Sequence, residues 1–260
     1  MMNERVQQIV EKKLRQSNIE NAVQEARWIV KYVPDVPQIN EVVQRRINGE
    51  PLQYLLGEWE FYGYPFKVGK GVLIPRPETE LLVDVVLEHR ACSIVIDLCA
   101  GSGCVGIALA KETGGGLLAI EKSEKAYYYL EQNIALNNLE PKKHIRTACS
   151  DVLKCGHFKL NDEMTVVINP PYLSKEDILN LQKEVRHEPT MALFGGEDGL
   201  DFYRKFFEMW KNPLNGAGMF ACEVGDSQAA AVCEMMKNIG LSPHIKKDYN
   251  GIDRVVYSVK

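Results

Sequence analysis

Val166-Val167-Ile168-Asn169-Pro170-Pro171-Tyr172 is an apolar run that ends in an amide, two prolines and an aromatic ring. The run reads as a buried strand. The prolines bring no backbone donors and stop strand and helix alike. The Asn169 side-chain carbonyl and the Pro170 backbone carbonyl are then left at a strand end without ladder partners, beside Tyr172. Two rigid acceptors next to a ring suit a planar NH2 group, held through both of its N–H bonds.

Three carboxylates fall at comparable places. Asp97 lies near the end of Ile94-Val95-Ile96-Asp97-Leu98, Glu121 ends Leu117-Leu118-Ala119-Ile120-Glu121, and Asp151 follows a strand near 144–149. Ligands of open α/β sheets bind outside the carboxyl ends of the strands. Between Asp97 and the next helix runs Cys99-Ala100-Gly101-Ser102-Gly103-Cys104-Val105-Gly106. Gly101, Gly103 and Gly106 satisfy G-x-G-x-x-G, which admits a dinucleotide. Asp97 argues against a pyrophosphate, since like charges repel strongly in a low-dielectric cleft. A ligand carrying an amino group and a sulfonium is better served there. Glu121 can accept two ribose hydroxyls from either kind of ligand and does not discriminate. Asp151 is placed to meet an adenine amino group.

The elements that must position these residues follow from periodicity. Strands and helices alternate from residue 93: helices over 103–111, 124–137, 200–212 and 227–238, strands near 164–168 and 218–224, and β structure near 243–247 and 252–259. Such alternation predicts an α/β fold with a mainly parallel sheet and helices on both faces. Upstream, Val6, Ile9, Val10 and Leu14 fall on a helical period. Ser17-x-x-Glu20 has the pattern of a capping box before a second helix with Val23, Ala26, Trp28, Ile29 and Val30. Pro37 and Gly49 bracket a third, with Val42, Val43 and Ile47. Glu58 to Val68 reads as a β-hairpin, and Glu78 to His89 as an amphipathic helix. The division expected is a helical domain over 1–57, a β-hairpin linker over 58–75 and a catalytic domain over 76–260. The segment 173–200, punctuated by Gly195, Gly196 and Gly199, is expected to loop over the substrate.

Composition bounds the partners. Of 260 residues, 45% are hydrophobic and 25% charged, with a net charge of −4. Residues 1–75 carry 10 Lys+Arg against 9 Asp+Glu, and the remainder 21 against 26. Neither part offers the basic field of a duplex-binding module, so no direct nucleic acid contact is expected. No apolar run is long enough to span a membrane, and the start is charged, so no membrane partner or leader is expected. The seven cysteines form no C-x-x-C pair and the five histidines are scattered. Free thiols in a cytoplasmic protein, and no metal, are the expectation.

Asp97…Gly101-Ser102-Gly103 with Glu121 resembles the class I S-adenosylmethionine-dependent methyltransferases. Asn169-Pro170-Pro171-Tyr172 narrows the resemblance to those acting on planar nitrogens of adenine, guanine or protein glutamine. Arg46…Pro51-Leu52-Gln53-Tyr54-Leu55-Leu56-Gly57, Glu60-Phe61-Tyr62-Gly63 and Ile74-Pro75-Arg76-Pro77-Glu78-Thr79-Glu80 resemble the PrmC/HemK family, as do Glu188-Pro189, Glu223-Val224-Gly225 and Asp253-Arg254. The resemblance spans about residues 46–260. It implies methylation of the side-chain amide nitrogen (N5) of the glutamine in the Gly-Gly-Gln motif of class 1 peptide chain release factors. S-adenosyl-L-methionine would be the donor and S-adenosyl-L-homocysteine the product.

On that resemblance Asn169, Pro170 and Tyr172 are catalytic. Asp97, Gly101, Ser102, Gly103, Glu121, Asp151 and Asn169 hold the cofactor, and Asn169, Pro170, Pro171, Tyr172 and Glu188 hold the substrate. The rival is a nucleic-acid amino-methyltransferase acting on adenine N6 or guanine N2, which the near-neutral helices and acidic catalytic half disfavour. Many family members have Gly-Thr where this chain has Cys99-Ala100, so Cys99 must take a negative φ or bear strain.

Overall fold

A computed structural model describes residues 2–89, 93–139 and 144–260. The chain opens with α1 (Met2–Gln16), α2 (Ala22–Tyr32), α3 (Val36–Ile47) and the short α4 (Leu52–Leu56). Val10, Leu14, Ala26, Ile29, Val43 and Leu52 meet in one small core. Ile9 is 50% exposed instead of buried. The buried stripe of α1 runs through Val6, Val10 and Leu14, and leaves Ile9 on its edge. Ser17 and Glu20 do not cap α2, whose N-cap is Asn21 without a side-chain bond. Ser17 instead belongs to the end of α1, where Asn18 takes φ 57 and the Ile19 amide returns to the Leu14 carbonyl. A left-handed residue closing a helix in this way satisfies its last carbonyls. For α3, Asp35 accepts the Gln38 amide at 2.9 Å and Pro37 sits in the first turn.

The hairpin β1 (Glu58–Phe61) and β2 (Tyr64–Lys67) turns at Tyr62 and Gly63, both with positive φ. That is the chemistry of a two-residue hairpin turn. Trp59 meets Trp28 of α2 edge-on at 5.0 Å. On the same face of the hairpin Phe61 and Phe66 are buried in the core beneath the large sheet. The expected helix over 78–89 is a 3-10 turn, Pro77–Thr79, followed by α5 (Glu80–Glu88). The break at Thr79 proves important for the site.

The alternating part comprises β3 (Ile94–Leu98), α6 (Cys104–Thr113), β4 (Gly116–Glu121), α7 (Glu124–Leu136), β5 (Ile145–Cys149), β6 (Met164–Ile168), α8 (Lys175–Leu179), α9 (Thr190–Leu193), α10 (Asp201–Gly216), β7 (Met219–Glu223), α11 (Ala229–Asn238), β8 (His244–Lys247) and β9 (Asp253–Val259). The strands form one sheet in the order β5-β4-β3-β6-β7-β9-β8. β5 through β7 run parallel, and β9 is antiparallel to both of its neighbours. One face packs against α5, α6 and α7, the other against α10 and α11 with Trp210, Phe206 and Phe220 at its centre. The expected fold is the observed one.

Chain order reverses at β3: β4 and β5 lie to one side, β6 and β7 to the other. Helices that cross opposite faces leave a crevice at such a point. Leu98 pairs with Ile168 across it. The glycine loop after β3 and Asn169 after β6 are thereby brought side by side.

Candidate active site

A cavity of about 390 Å³ opens at that reversal. Asp97, Gly101, Ser102, Glu121, Asp151, Asn169 and Pro171 all line it. Asp97 is 3% exposed, and Oδ2 accepts the Gly106 amide at 2.9 Å. Burial pushes its carboxyl up to about 7; the Gly106 amide opposes this and the charge of Glu121 adds to it. Gly103 opens α6 with φ 81 but does not line the cavity. Packing requires a glycine there, since a Cβ would stand 2.5 Å from Leu130 Cδ1. Cys99 takes φ 58. The strained option is therefore the one realised, at a cost of about 1–3 kcal/mol.

Glu121 is fixed from two sides: Oε2 accepts the Gly101 amide at 2.8 Å and Oε1 the Ser123 amide at 2.7 Å. A carboxylate has about four acceptor positions, so two remain for hydroxyls. Burial raises its pKa, with the Ser123 and Gly101 amides opposing. Asp151 accepts the Leu153 amide at 3.0 Å and pairs with Lys122 at 3.0 Å. Burial works against its charge, but Lys122 and the Leu153 amide outweigh burial and hold it below its ordinary value. Val152, Leu153 and Ala126 give the same end of the cavity an apolar lining.

The Asn-Pro-Pro-Tyr segment is split by the structure. Asn169 Nδ2 donates to Thr79 Oγ1 at 3.2 Å. Pro170 is buried and is not among the lining residues, whereas Pro171 is. Tyr172 is turned away from the cavity: its hydroxyl donates to Glu223 Oε1 at 3.1 Å, and its ring packs with the α10 side of the sheet. Tyr172, expected among the catalytic and substrate-holding residues, is not among the residues lining the cavity. β7 places Glu223 beside the end of β6, and a buried carboxyl there draws the phenol inward.

Glu188 is likewise one layer behind the cavity. It is 5% exposed, accepts the Ile74 amide at 3.0 Å and pairs with the Arg76 guanidinium. Arg76 itself reaches the lining. The segment 173–200 folds back on the Asn-Pro-Pro-Tyr backbone. Leu173 exchanges hydrogen bonds with Leu193 and Gly195, and a Cβ at Gly195 would stand 2.7 Å from the Pro171 carbonyl. Residues 189–192 with Phe194 thereby become a wall of the cavity. Sequence reasoning missed the roles of Thr79, Arg76 and Phe202 in the lining. Thr79 and Arg76 stand inside the motif Ile74–Glu80, which was the available signal. Among the described residues no cluster fits a metal ion.

The donor set fits S-adenosylmethionine. A buried carboxyl with one backbone donor awaits a cation at Asp97, Glu121 has free acceptor positions, and an apolar niche adjoins Asp151. A family model, the Methyltransferase small domain, matches residues 77–194. A release factor glutamine methyltransferase of Thermodesulfovibrio yellowstonii is 42% identical over 226 residues, 84% of this chain and 79% of that protein. The chain belongs to the release factor glutamine methyltransferase family. Another such enzyme, from Clostridium acetobutylicum, is 37% identical over 229 residues, covering 86% of this chain and 80% of the relative. Among solved structures, the hMettl16 catalytic domain in complex with a MAT2A 3'UTR hairpin aligns with a TM-score of 0.62, over 82% of this chain and 83% of that one. At 16% identity that likeness is one of fold. Family membership accounts for the methyltransferase sheet. Among the described residues no helix is long and apolar enough to cross a membrane.

Proposed function

We propose that this chain methylates the N5 amide nitrogen of the Gly-Gly-Gln glutamine in class 1 peptide chain release factors, acting in the cytoplasm with no nucleic acid partner. Family membership supports the substrate. One observation carries the chemistry: Asn169 lines the cavity that also holds Asp97 and Glu121, with its NH2 engaged by Thr79 and its carbonyl left for a substrate. S-adenosylmethionine, when bound, supplies a methyl group activated on a sulfonium. Asp97, Gly101, Ser102, Glu121 and Asp151 are the residues assigned to hold it. Residues 1–57 are assigned to substrate recognition and 76–260 to catalysis, with the hairpin joining them.

An amide nitrogen is a weak nucleophile because its lone pair is delocalised into the carbonyl. Asn169 Oδ1 accepts one of its N–H bonds and fixes its direction. As the new N–C bond forms at the expense of the S–C bond, whose electron pair stays on sulfur, the nitrogen becomes positive and its protons more acidic. Asn169 Oδ1 then binds more strongly than in the ground state, which is the condition for catalysis. One of the protons is then lost to solvent to leave a neutral N-methyl amide. Of the two acceptors expected from Asn169 and Pro170, the Asn169 side chain is the one at the lining, and Pro171 borders the same wall. Met191, Phe194 and Phe202 border the cavity with apolar surface.

The deciding experiment incubates a purified release factor with this protein and S-adenosylmethionine, then maps the product by mass spectrometry. A gain of one methylene on the Gly-Gly-Gln glutamine is expected. A release factor that stays unmodified, beside a methylated DNA or RNA control, would transfer the site to the nucleic-acid reading.

A further inference from the structure

The Asn169 side chain has two ends that are alike in shape and opposite in hydrogen bonding. One end accepts and the other donates. Only the accepting end can hold a substrate NH2. Because Nδ2 donates to Thr79 Oγ1 at 3.2 Å, Oδ1 takes the other direction. A hydroxyl that accepts from Asn169 still has one proton to place. Thr79 is 2% exposed, so water is a poor recipient.

The recipient at hand is Glu223. Ile168 pairs with Cys222, which brings Glu223 level with Asn169 on the neighbouring strand. Glu223 is 1% exposed; Oε1 receives the Tyr172 hydroxyl, and Oε2 is buried with no hydrogen-bond partner among the described residues. Burial raises its pKa and the charge of Glu78 adds to this; the Thr79 and Tyr172 hydroxyls and the Arg254 charge oppose it and favour the carboxylate. No hydrogen bond is formed between Thr79 and Glu223 in this structure, and Oε2 is the acceptor still open to the Thr79 hydroxyl. An unpaired buried carboxyl is costly, and an apolar side chain would fill the place without that cost.

We infer, on the reading of Asn169 as the substrate acceptor, that Thr79 and Glu223 are positioning residues that set the polarity of the Asn169 amide. A Glu223 carboxylate can only accept. Thr79 must then give its proton to Glu223 and take one from Asn169 Nδ2, which leaves Oδ1 toward the substrate. A donor at 223 reverses the chain: Thr79 gives its proton to Asn169 Oδ1, and two donors then confront a substrate NH2. Tyr172 belongs to the same relay, satisfying the carboxyl oxygen that Thr79 does not use.

The test compares Thr79→Val, which keeps the shape, with Thr79→Ser, which keeps the hydroxyl, using a purified release factor as substrate. Thr79→Val is expected to lower kcat by about tenfold or more, as loss of one orienting hydrogen bond does. The Kd for S-adenosylmethionine and the melting temperature should stay near the parent. Thr79→Ser should retain kcat within about threefold, the inverse of what a packing role gives. Glu223→Gln, whose amide can donate, should fall with Thr79→Val. The Asn169 side-chain NH2 signals in 15N NMR, identified by their loss in Asn169→Ala, should shift in ligand-free Thr79→Val. An active Thr79→Val beside an inactive Asn169→Ala overturns this inference alone, as does an inactive Thr79→Ser with an active Thr79→Val. An active Asn169→Ala overturns the reading beneath it.

Discussion

The Gly106 amide donates to Asp97 Oδ2 at 2.9 Å, and a Cβ built on Gly106 would stand 2.7 Å from that same oxygen. Leu117 Cδ1 closes the other side at 2.7 Å. α6 thus approaches β3 as closely as a residue without a side chain permits, and that approach fixes the carboxyl. Gly106→Ala is expected to destabilise by about 1–3 kcal/mol through overpacking. It should also weaken S-adenosylmethionine binding, since relief requires moving Asp97. Thermal melts and titration calorimetry read both quantities. A parental affinity would mean that the carboxyl does not contact the ligand.

Cofactor affinity should depend on pH through Asp97. Its carboxyl is pushed up to about 7 by burial, and an ammonium is bound by the carboxylate, not the acid. Affinity is therefore expected to rise from about pH 6 to 8, by up to about tenfold per unit below the pKa. The ligand-free protein has the opposite sign. A folded-state pKa above the ordinary 3.8 favours the protonated fold, so this stabilisation is complete below 3.8 and lost as pH rises through about 7. Calorimetry across the range checks the first trend and melts the second. Asp97→Asn should flatten both and weaken binding; a profile unchanged by that substitution would assign the titration elsewhere.

Asn169→Ala removes the one side-chain acceptor assigned to the substrate NH2. A fall in kcat of about 10²–10³ is expected, the range seen for single groups that stabilise transition-state charge. Affinity for S-adenosylmethionine should change little. Single-turnover assays with saturating cofactor, paired with a direct binding measurement, separate the two. Loss of cofactor binding in place of turnover would assign Asn169 to the other ligand.

Asp97, Glu121, Asp151 and Asn169 were legible because each interrupts or follows a run whose period gives away a strand, and strand ends share one edge of the sheet. The strands from β3 to β7 and their mainly parallel sheet followed from the same alternation; their order across the sheet did not. Tyr172 and Glu188 were not legible in this way. Each turns on a partner distant in sequence: Glu223 for the phenol, Ile74 and Arg76 for the carboxylate. After a Pro-Pro step there is no period to say where the next side chain points. Ser17 failed for a local reason, since a left-handed Asn18 closes α1 before α2 can begin.

Glu188 offers a clean separation of substrate contact from scaffold. Its carboxylate ties the Ile74 amide at 3.0 Å to Arg76, and so fastens the 74–76 segment to the 189–194 wall. Truncation to Ala leaves the buried Ile74 amide without a partner, worth about 1–3 kcal/mol. It also leaves Arg76 unpaired; because that side chain is 31% exposed, water recovers much of the second loss. Glu188→Ala is therefore expected to destabilise by about 2–3 kcal/mol in all. KM should rise for cofactor and release factor alike, because both lie against the same wall. Glu188→Gln still accepts from Ile74 and should fall between the parent and Ala. Melting temperatures and the two KM values decide the matter. A rise in the release factor KM alone, at parental stability, would return Glu188 to direct contact with the substrate.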